Sequence, residues 1–279
     1  MFNGENIEIE EIEKTIQLYD EAFNEWDIEK LTKAFHYESM VYWYIPEQER
    51  FYRSPCYSWI RSFLENKKED PEINYYVNIE SIYQTGSVAY SRVRFLIDDP
   101  EEPRDTTDYL TLMKFGDIWQ VINKSGHTIP LTSEELLKRV MDETDIPYND
   151  SFEVELIKKL LNTYADAFQQ YNFDFIQKSF HPDMRVNSVD TDSEEFKNQY
   201  RPPAVWKEVL EEHKAEGIKF ETEIIQIDQR GTAAVAVMYW KALTPKGIGH
   251  TTDFLTLLKV NDNWKIVNKS CNFDFEEYN

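Results

Sequence analysis

Two sets of apolar residues share the steps of three and four positions that place side chains on one face of a helix. The first set is Ile9, Ile12, Ile16, Tyr19, Phe23 and Trp26, and the second is Val154, Ile157, Leu161, Tyr164, Phe168 and Tyr171. This spacing predicts an amphipathic helix near the start of each half of the chain, with its apolar stripe against a core.

The pattern after each of these helices predicts the same further elements in both halves. A short second helix ends near Phe35 or Phe180, and a strand follows over residues 40–45 or 184–189. A third helix is entered through Pro55 in the first half and Pro202 in the second. Alternating apolar residues then predict four antiparallel strands in the first half, over 73–84, 87–97, 106–115 and 118–127, with turns at Gly86 and Gly116.

The two halves are copies of one unit, repeated at an offset of 145 residues. The nine-residue segment that begins Thr106-Thr107-Asp108 returns from Thr251, and Trp119 with Asn123-Lys124-Ser125 returns as Trp264 with Asn268-Lys269-Ser270. A repeat of this length predicts two whole domains rather than a solenoid array. We place them at residues 6–128 and 152–275, joined by an acidic linker at 129–151 that carries a short helix from Ser133.

Composition narrows the classes of partner. The chain has 52 Asp and Glu against 30 Lys and Arg, a formal net charge of -22, which repels nucleic acid and anionic lipid. No apolar run is long enough to span a membrane, and the acidic start lacks the features of a signal peptide, which predicts a cytoplasmic protein. Because both copies lie in one chain, we expect a monomer. Cys56 and Cys271 have no metal-binding or disulfide spacing, so we expect no metal and no cofactor.

The order of elements resembles the nuclear transport factor 2-like superfamily. The strand pair that carries Thr-Asp-(Tyr/Phe)-Leu-Thr-Leu and Asn-Lys resembles the branch called putative lumazine-binding or SnoaL-like proteins. The resemblance implies an α+β fold, in which three helices pack on a curved, mainly antiparallel sheet to form a cone, with the two cones arranged as an intrachain pseudo-dimer. The superfamily includes isomerases, dehydratases, cyclases and pure binding modules, so the fold does not fix the function.

Part of the first helix resembles ketosteroid isomerase, at Gln17, Tyr19, Ala22, Asn24 and Asp27. The resemblance implies that Tyr19 with Asp108, and Tyr164 with Asp253, form a pair of hydrogen-bond donors for a developing enolate oxygen. The isomerase's general base is replaced by Trp43 and Ser188, which argues against steroid isomerisation. The alternative is that each tyrosine is a core residue whose hydroxyl is satisfied by the aspartate.

Strand alternation predicts which neighbours share the cone. Leu110 faces inward with Asp108, and the isomerase's register implies that Trp119, Val121, Asn123 and Ser125 do so as well. The predicted ligand contacts are Tyr19, Trp43, Trp59, Asp108, Leu110, Val121 and Asn123 in the first copy, and Tyr164, Asp253 and Asn268 in the second. Arg92 and Arg94 either bind an anionic group of a ligand or pair with nearby carboxylates.

The leading hypothesis is a protein that binds a small apolar or ring-shaped molecule in the first cone, where the aromatic residues concentrate. One alternative is a lyase, cyclase or isomerase that uses Tyr19, Asp108 and His127, the last by analogy with dehydratases of the superfamily. His127 has no counterpart in the second copy, where Asn272 stands. The other alternative is a non-catalytic scaffold.

Overall fold

The computed structural model describes residues 8–45, 48–66, 73–141, 148–189 and 196–278. The chain divides into two compact units whose main boundary falls inside the predicted linker. In the first unit the elements are α1 (Ile9–Glu25), α2 (Ile28–Ala34), β1 (Phe35–Ile45), β2 (Arg50–Pro55), α3 (Tyr57–Asn66), β3 (Asn74–Thr85), β4 (Val88–Asp98), β5 (Arg104–Phe115), β6 (Ile118–Pro130) and the linker helix α4 (Ser133–Met141). In the second they are α5 (Ser151–Gln169), α6 (Phe173–Ser179), β7 (Phe180–Val189), β8 (Phe196–Tyr200), α7 (Val205–Glu216), β9 (Lys219–Arg230), β10 (Ala233–Leu243), β11 (Gly247–Val260) and β12 (Asn263–Glu277).

Each unit has a six-stranded sheet of the same topology. The strand orders are β2-β1-β6-β5-β4-β3 and β8-β7-β12-β11-β10-β9. Neighbouring strands are antiparallel except β1 with β6 and β7 with β12. The α+β class and the mainly antiparallel sheet predicted from the sequence are confirmed, and the pseudo-dimer stays a prediction.

The helix stripes read from the sequence are the buried faces of α1 and α5. Ile12, Ile16 and Tyr19 are at most 2% exposed. Helix α1 ends at Trp26, whose left-handed backbone (φ 56°) turns the chain into α2. Asp27 then caps α2 by accepting hydrogen bonds from the backbone N–H groups of Glu29 and Lys30, so its role here is structural.

The strand after the second helix differs from its predicted bounds. It begins at Phe35 rather than at residue 40, which places His36 on β1, where its Nδ1 accepts from the backbone N–H of Glu38. The segment Arg50–Pro55 forms an additional strand that pairs with β1, so that Trp43 lies opposite Tyr52. The aromatic residues at 42–44 and 51–52 of the first copy therefore lie on two paired antiparallel strands.

The linker helix α4, predicted from the sequence to begin at Ser133, packs on the first unit. Thr132 and Glu135 form a reciprocal capping box at its start, and Leu136 is buried. From its last turn, Arg139 forms an ion pair with Asp105 of β5, a carboxylate that is fully buried and also binds Arg94.

Candidate functional site

A cavity of about 320 Å³ lies in the first unit between the helices and the inner face of the sheet. Its apolar lining residues are Phe23, Trp26, Trp43, Phe63, Tyr75, Phe95 and Ile97, and its polar ones are Tyr19, Arg104, Thr106, Asp108, Lys124 and Thr128. The lining therefore combines aromatic walls with a few polar groups, which is typical of small-molecule sites.

Three of the polar residues form a buried triad around one carboxylate oxygen. The Tyr19 hydroxyl donates to Asp108 Oδ2 at 3.1 Å, and the Lys124 ammonium forms an ion pair with the same oxygen. The other oxygen, Asp108 Oδ1, is buried without a hydrogen-bond partner among the described residues. A buried acceptor without a hydrogen-bond partner requires an explanation, and one explanation is that this oxygen accepts a hydrogen bond from a ligand.

Lys124 reaches the cavity because β6 contains an irregularity. Thr111 of β5 pairs with Asn123, whereas the next residue, Leu112, pairs with Val121, so the register shifts by one residue. A shift of one residue moves all later side chains to the opposite face. The inward positions beyond it are therefore Lys124, Gly126 and Thr128.

The predicted inward orientation of Asn123 and Ser125 is consequently wrong. Neither residue lines the cavity, although both are fully buried. In the second copy the same shift occurs, and Asn268 accepts hydrogen bonds from Asn187 and Ser270 rather than binding Asp253. These asparagines lie on the other face of their sheets.

The same shift removes His127 from the site. Its cross-strand partner is Thr107, whereas that of Asp108 is Gly126, so His127 and Asp108 face opposite sides of the sheet. The Asp108–His127 pair implied by the resemblance to dehydratases is not formed, and His127 does not line the cavity.

The other predicted residues of the first copy take three different places. Three of the predicted ligand contacts, Tyr19, Trp43 and Asp108, line the cavity. Leu110 and Val121 are fully buried in the adjoining core cluster. The side chain of Trp59 lies outside the described residues.

Gly126 makes room for two members of the site. A Cβ atom at this position would lie 2.9 Å from Asp108 Oδ1, 2.9 Å from Cη2 of Trp43 and 2.6 Å from the carbonyl oxygen of Thr107. Any larger residue would displace the carboxylate or the indole. The second copy has Cys271 and Ser188 at the positions of Gly126 and Trp43.

Burial shifts the pKa values of Tyr19 and Lys124. It raises the pKa of Tyr19 well above its ordinary value, together with the charge of Asp108, so the tyrosine stays a donor. Burial also lowers the pKa of the Lys124 ammonium, against the opposing effect of Asp108. The Lys124 nitrogen lies 5.6–5.8 Å from the ring centroids of Tyr19, Trp43 and Phe95.

The second copy repeats the triad in different surroundings. Tyr164 donates to Asp253 Oδ2 at 3.1 Å, and Lys269 donates to the same oxygen at 2.7 Å and to the Tyr164 hydroxyl at 3.3 Å. Burial acts to lower the pKa of Lys269, but Asp253 and Tyr164 outweigh it and the pKa is raised.

Trp240 stands at the position of Phe95 in this second copy. Its ring centroid is 4.8 Å from that of Tyr164, 5.3 Å from that of Phe168 and 6.1 Å from that of Phe220. Two polar residues of the first cavity are also replaced, Arg104 by Gly249 and Thr128 by Phe273. The second copy therefore has larger aromatic side chains at the positions of Phe95 and Thr128.

Arg92 and Arg94 are held by carboxylates, which was one of the two predicted alternatives. Arg92 pairs with Glu80 at 2.9 Å, and Arg94 pairs with Asp105 at 3.0 Å. Among the described residues, no cluster of three or more His, Cys, Asp or Glu could hold a metal ion. In the same part of the chain, no helix is both long and apolar enough to cross a membrane.

Comparisons with known proteins agree with the duplication. A family model described as putative lumazine-binding matches residues 7–127 and again residues 152–272. Aldolase FrzH of Cladobotryum sp is 23% identical over 116 residues, which are 42% of this chain and 87% of that protein. A solved NTF2-like protein from Shewanella baltica is 20% identical, with a TM-score of 0.38 over 46% of this chain and 100% of its own. A putative scytalone dehydratase from Novosphingobium aromaticivorans is 19% identical, with a TM-score of 0.37 over 46% of this chain and 89% of its own.

Proposed function

The chain belongs to the putative lumazine-binding family, with one copy of the family's domain in each half, and we propose that its first copy binds a small ring-shaped molecule. The observation that carries this proposal is the cavity beside the buried Asp108 carboxylate, one oxygen of which has no hydrogen-bond partner among the described residues. Its aromatic walls suit a flat ligand, since rings stack favourably on rings.

The polar groups define where such a ligand carries its own polar atoms. Asp108 Oδ1 accepts a hydrogen bond from the ligand, and the Lys124 ammonium, which has three N–H donors, donates to a neighbouring ligand oxygen. A ring with an adjacent N–H and C=O, as in lumazine, satisfies both at once. Such a ring gives both the carboxylate and the lysine a hydrogen-bond partner inside a largely aromatic lining.

A second group of polar residues lies along β5 from Asp108, with Thr106 two residues away (about 7 Å) and Arg104 four residues away (about 13 Å) at the usual rise of a strand. There the Nε of Arg104 is buried without a partner among the described residues, and the hydroxyls of Thr106 and Thr128 are 3.0 Å apart. We expect a ligand that fills the cavity to place a hydrogen-bond acceptor beside these residues.

Phe95→Trp tests the proposal without changing any charge. It introduces into the first copy the ring that occupies the equivalent position in the second, and the added ring atoms intrude on the cavity. We expect the Kd for lumazine, measured by titration calorimetry, to rise about tenfold or more, the equivalent of ~1.4 kcal/mol. The matched control is Trp240→Phe, which leaves the first cavity intact.

Unchanged binding in Phe95→Trp, with the fold verified by circular dichroism, would place the ligand elsewhere. Equal weakening in both variants would also contradict the proposal, because it would show that the site does not belong to the first copy.

A second candidate function is a lyase reaction at the same cavity. It is favoured by the lining position of the Tyr19–Asp108–Lys124 triad, which can donate and accept protons beside a bound ligand. The relative named as an aldolase points to the same class of chemistry. Without His127, the acid and base of such a reaction are Asp108 and Lys124.

A further inference from the structure

Lys124 differs from the other functional groups of the first cavity in being a nucleophile when it is neutral. Its side chain is only 7% exposed, yet it lines the cavity, and three aromatic rings surround its nitrogen. Lysines that react with carbonyl groups are held in apolar pockets of this kind, where the neutral amine is populated near neutral pH. Burial favours the neutral amine of Lys124 in the same sense.

Asp108 is placed to accept and donate the protons that are transferred in such a reaction. The ion pair with Lys124 puts its Oδ2 in contact with the amine, and the Tyr19 hydroxyl holds that oxygen in place. In a poorly solvated site, an ion pair can neutralise itself by passing the ammonium proton to the carboxylate. The amine is then free to attack, and the carboxyl group holds the proton that the next step needs.

We propose that Lys124 forms a Schiff base with a ring-bearing aldehyde or ketone bound in the first cavity. This inference rests on the proposed function, because it names the chemical class of the same ligand. The Lys124 nitrogen bonds to the carbonyl carbon, and the carbonyl oxygen takes up a proton to give a carbinolamine. That hydroxyl then leaves as water with the proton from Asp108, and a protonated C=N bond remains beside the Asp108 carboxylate.

The step is balanced within the site. The ammonium of Lys124 supplies three hydrogens, of which two leave in the water molecule and one stays on the nitrogen of the Schiff base. No oxidant or reductant is needed. Cys56, the nearby thiol, does not compete, since burial raises its pKa to about 11.

The second copy provides an internal control. Lys269 is bonded to both Asp253 and the Tyr164 hydroxyl, and its pKa is raised. Trp240, a larger ring than Phe95 at the equivalent position, packs on Tyr164 in the second copy. We therefore assign the reaction to Lys124 and not to Lys269.

The test is reductive trapping on the full chain. The protein is incubated with 2-naphthaldehyde and sodium cyanoborohydride, which converts a Schiff base to a stable secondary amine, and the modified lysines are located by peptide mass spectrometry. We expect Lys124 to be modified about tenfold or more faster than the exposed Lys138, because a larger fraction of its amine is neutral. Lys269 should react no faster than Lys138.

Two variants and one binding measurement separate the outcomes. Lys124→Arg keeps a positive charge opposite Asp108, so it should fold and be modified only at surface lysines, whereas Lys269→Arg should be trapped at Lys124 like the unmodified chain. If tryptophan fluorescence shows that 2-naphthaldehyde binds but Lys124 reacts no faster than Lys138, the Schiff base is refuted and the proposed binding function stands. If neither 2-naphthaldehyde nor lumazine binds, both proposals fail.

Discussion

Replacing Gly126 by alanine should disturb the first site more than the addition of one methyl group suggests. The new Cβ would lie 2.6 Å from the Thr107 carbonyl oxygen and 2.9 Å from both Asp108 Oδ1 and Trp43 Cη2. The first of these atoms belongs to the backbone and cannot swing away. Insertion of a methyl group into such a space costs about 1–3 kcal/mol, and we expect the upper half of that range.

The free energy has to be measured for each unit separately, because a chain with two units does not unfold in a single two-state step. Native-state hydrogen exchange, resolved by peptide, gives the free energy of opening for β5 and β6 in the variant and in the unmodified chain. Strands β11 and β12 are the internal control, since Gly126→Ala changes nothing in the second unit. The Kd for lumazine should also rise about tenfold if the displaced Asp108 Oδ1 loses a hydrogen bond worth ~1.4 kcal/mol.

A double-mutant cycle identifies the source of the cost. Trp43→Phe removes Cη2, one of the three atoms that the new Cβ would meet, and leaves the other two. The combined variant should therefore be less destabilised than the sum of the single variants, by about 0.5–1 kcal/mol. Additive effects, or a Gly126→Ala variant as stable as the unmodified chain, would refute this account of the glycine.

Two further predictions concern the second-copy comparison and pH. Tyr19→Phe removes the hydroxyl that donates to Asp108 Oδ2 and should raise the Kd for lumazine about tenfold. Tyr164→Phe should leave this Kd unchanged. Equal Kd values for the two variants would show that Tyr19 is only a core residue. Burial lowers the pKa of His213, so the folded second unit resists protonation and should lose stability as the pH falls below about 6.5, the ordinary value of histidine. His213→Gln should flatten this pH dependence of hydrogen exchange in α7, and an unchanged slope would contradict it.

The sequence was sufficient for the architecture because the signals were periodic and occurred twice. The stripe of α1, the hairpin glycines and the repeated Thr-Thr-Asp segment each depend on local geometry that a regular helix or strand preserves. The pairing of Tyr19 with Asp108 was predicted for the same reason. Its hydroxyl-to-carboxylate hydrogen bond is present, and Tyr164 and Asp253 form the equivalent bond in the second copy.

Prediction of the site failed where the strand is irregular. Alternation along β6 holds up to Val121, and the register shift that follows exchanges the two faces. Asn123 was therefore placed inward, Lys124 was not among the predicted contacts, and His127 was assigned to a face it does not occupy. One feature of the sequence could have pointed to the lysine: Lys124 and Lys269 occupy equivalent positions in the two copies, each between an asparagine and a serine.

The duplication separates what the triad does for the fold from what the cavity adds. The same tyrosine, aspartate and lysine are buried in both copies, so the triad alone does not distinguish the first copy from the second. A buried ion pair contributes little net stability, because desolvation offsets the attraction of its charges. The first copy differs in what surrounds the pair, where Phe95 stands for Trp240 and Gly126 for Cys271. Phe95 and Gly126 are smaller than their counterparts, and in the proposed function they leave beside Lys124 the space in which the triad acts on a ligand.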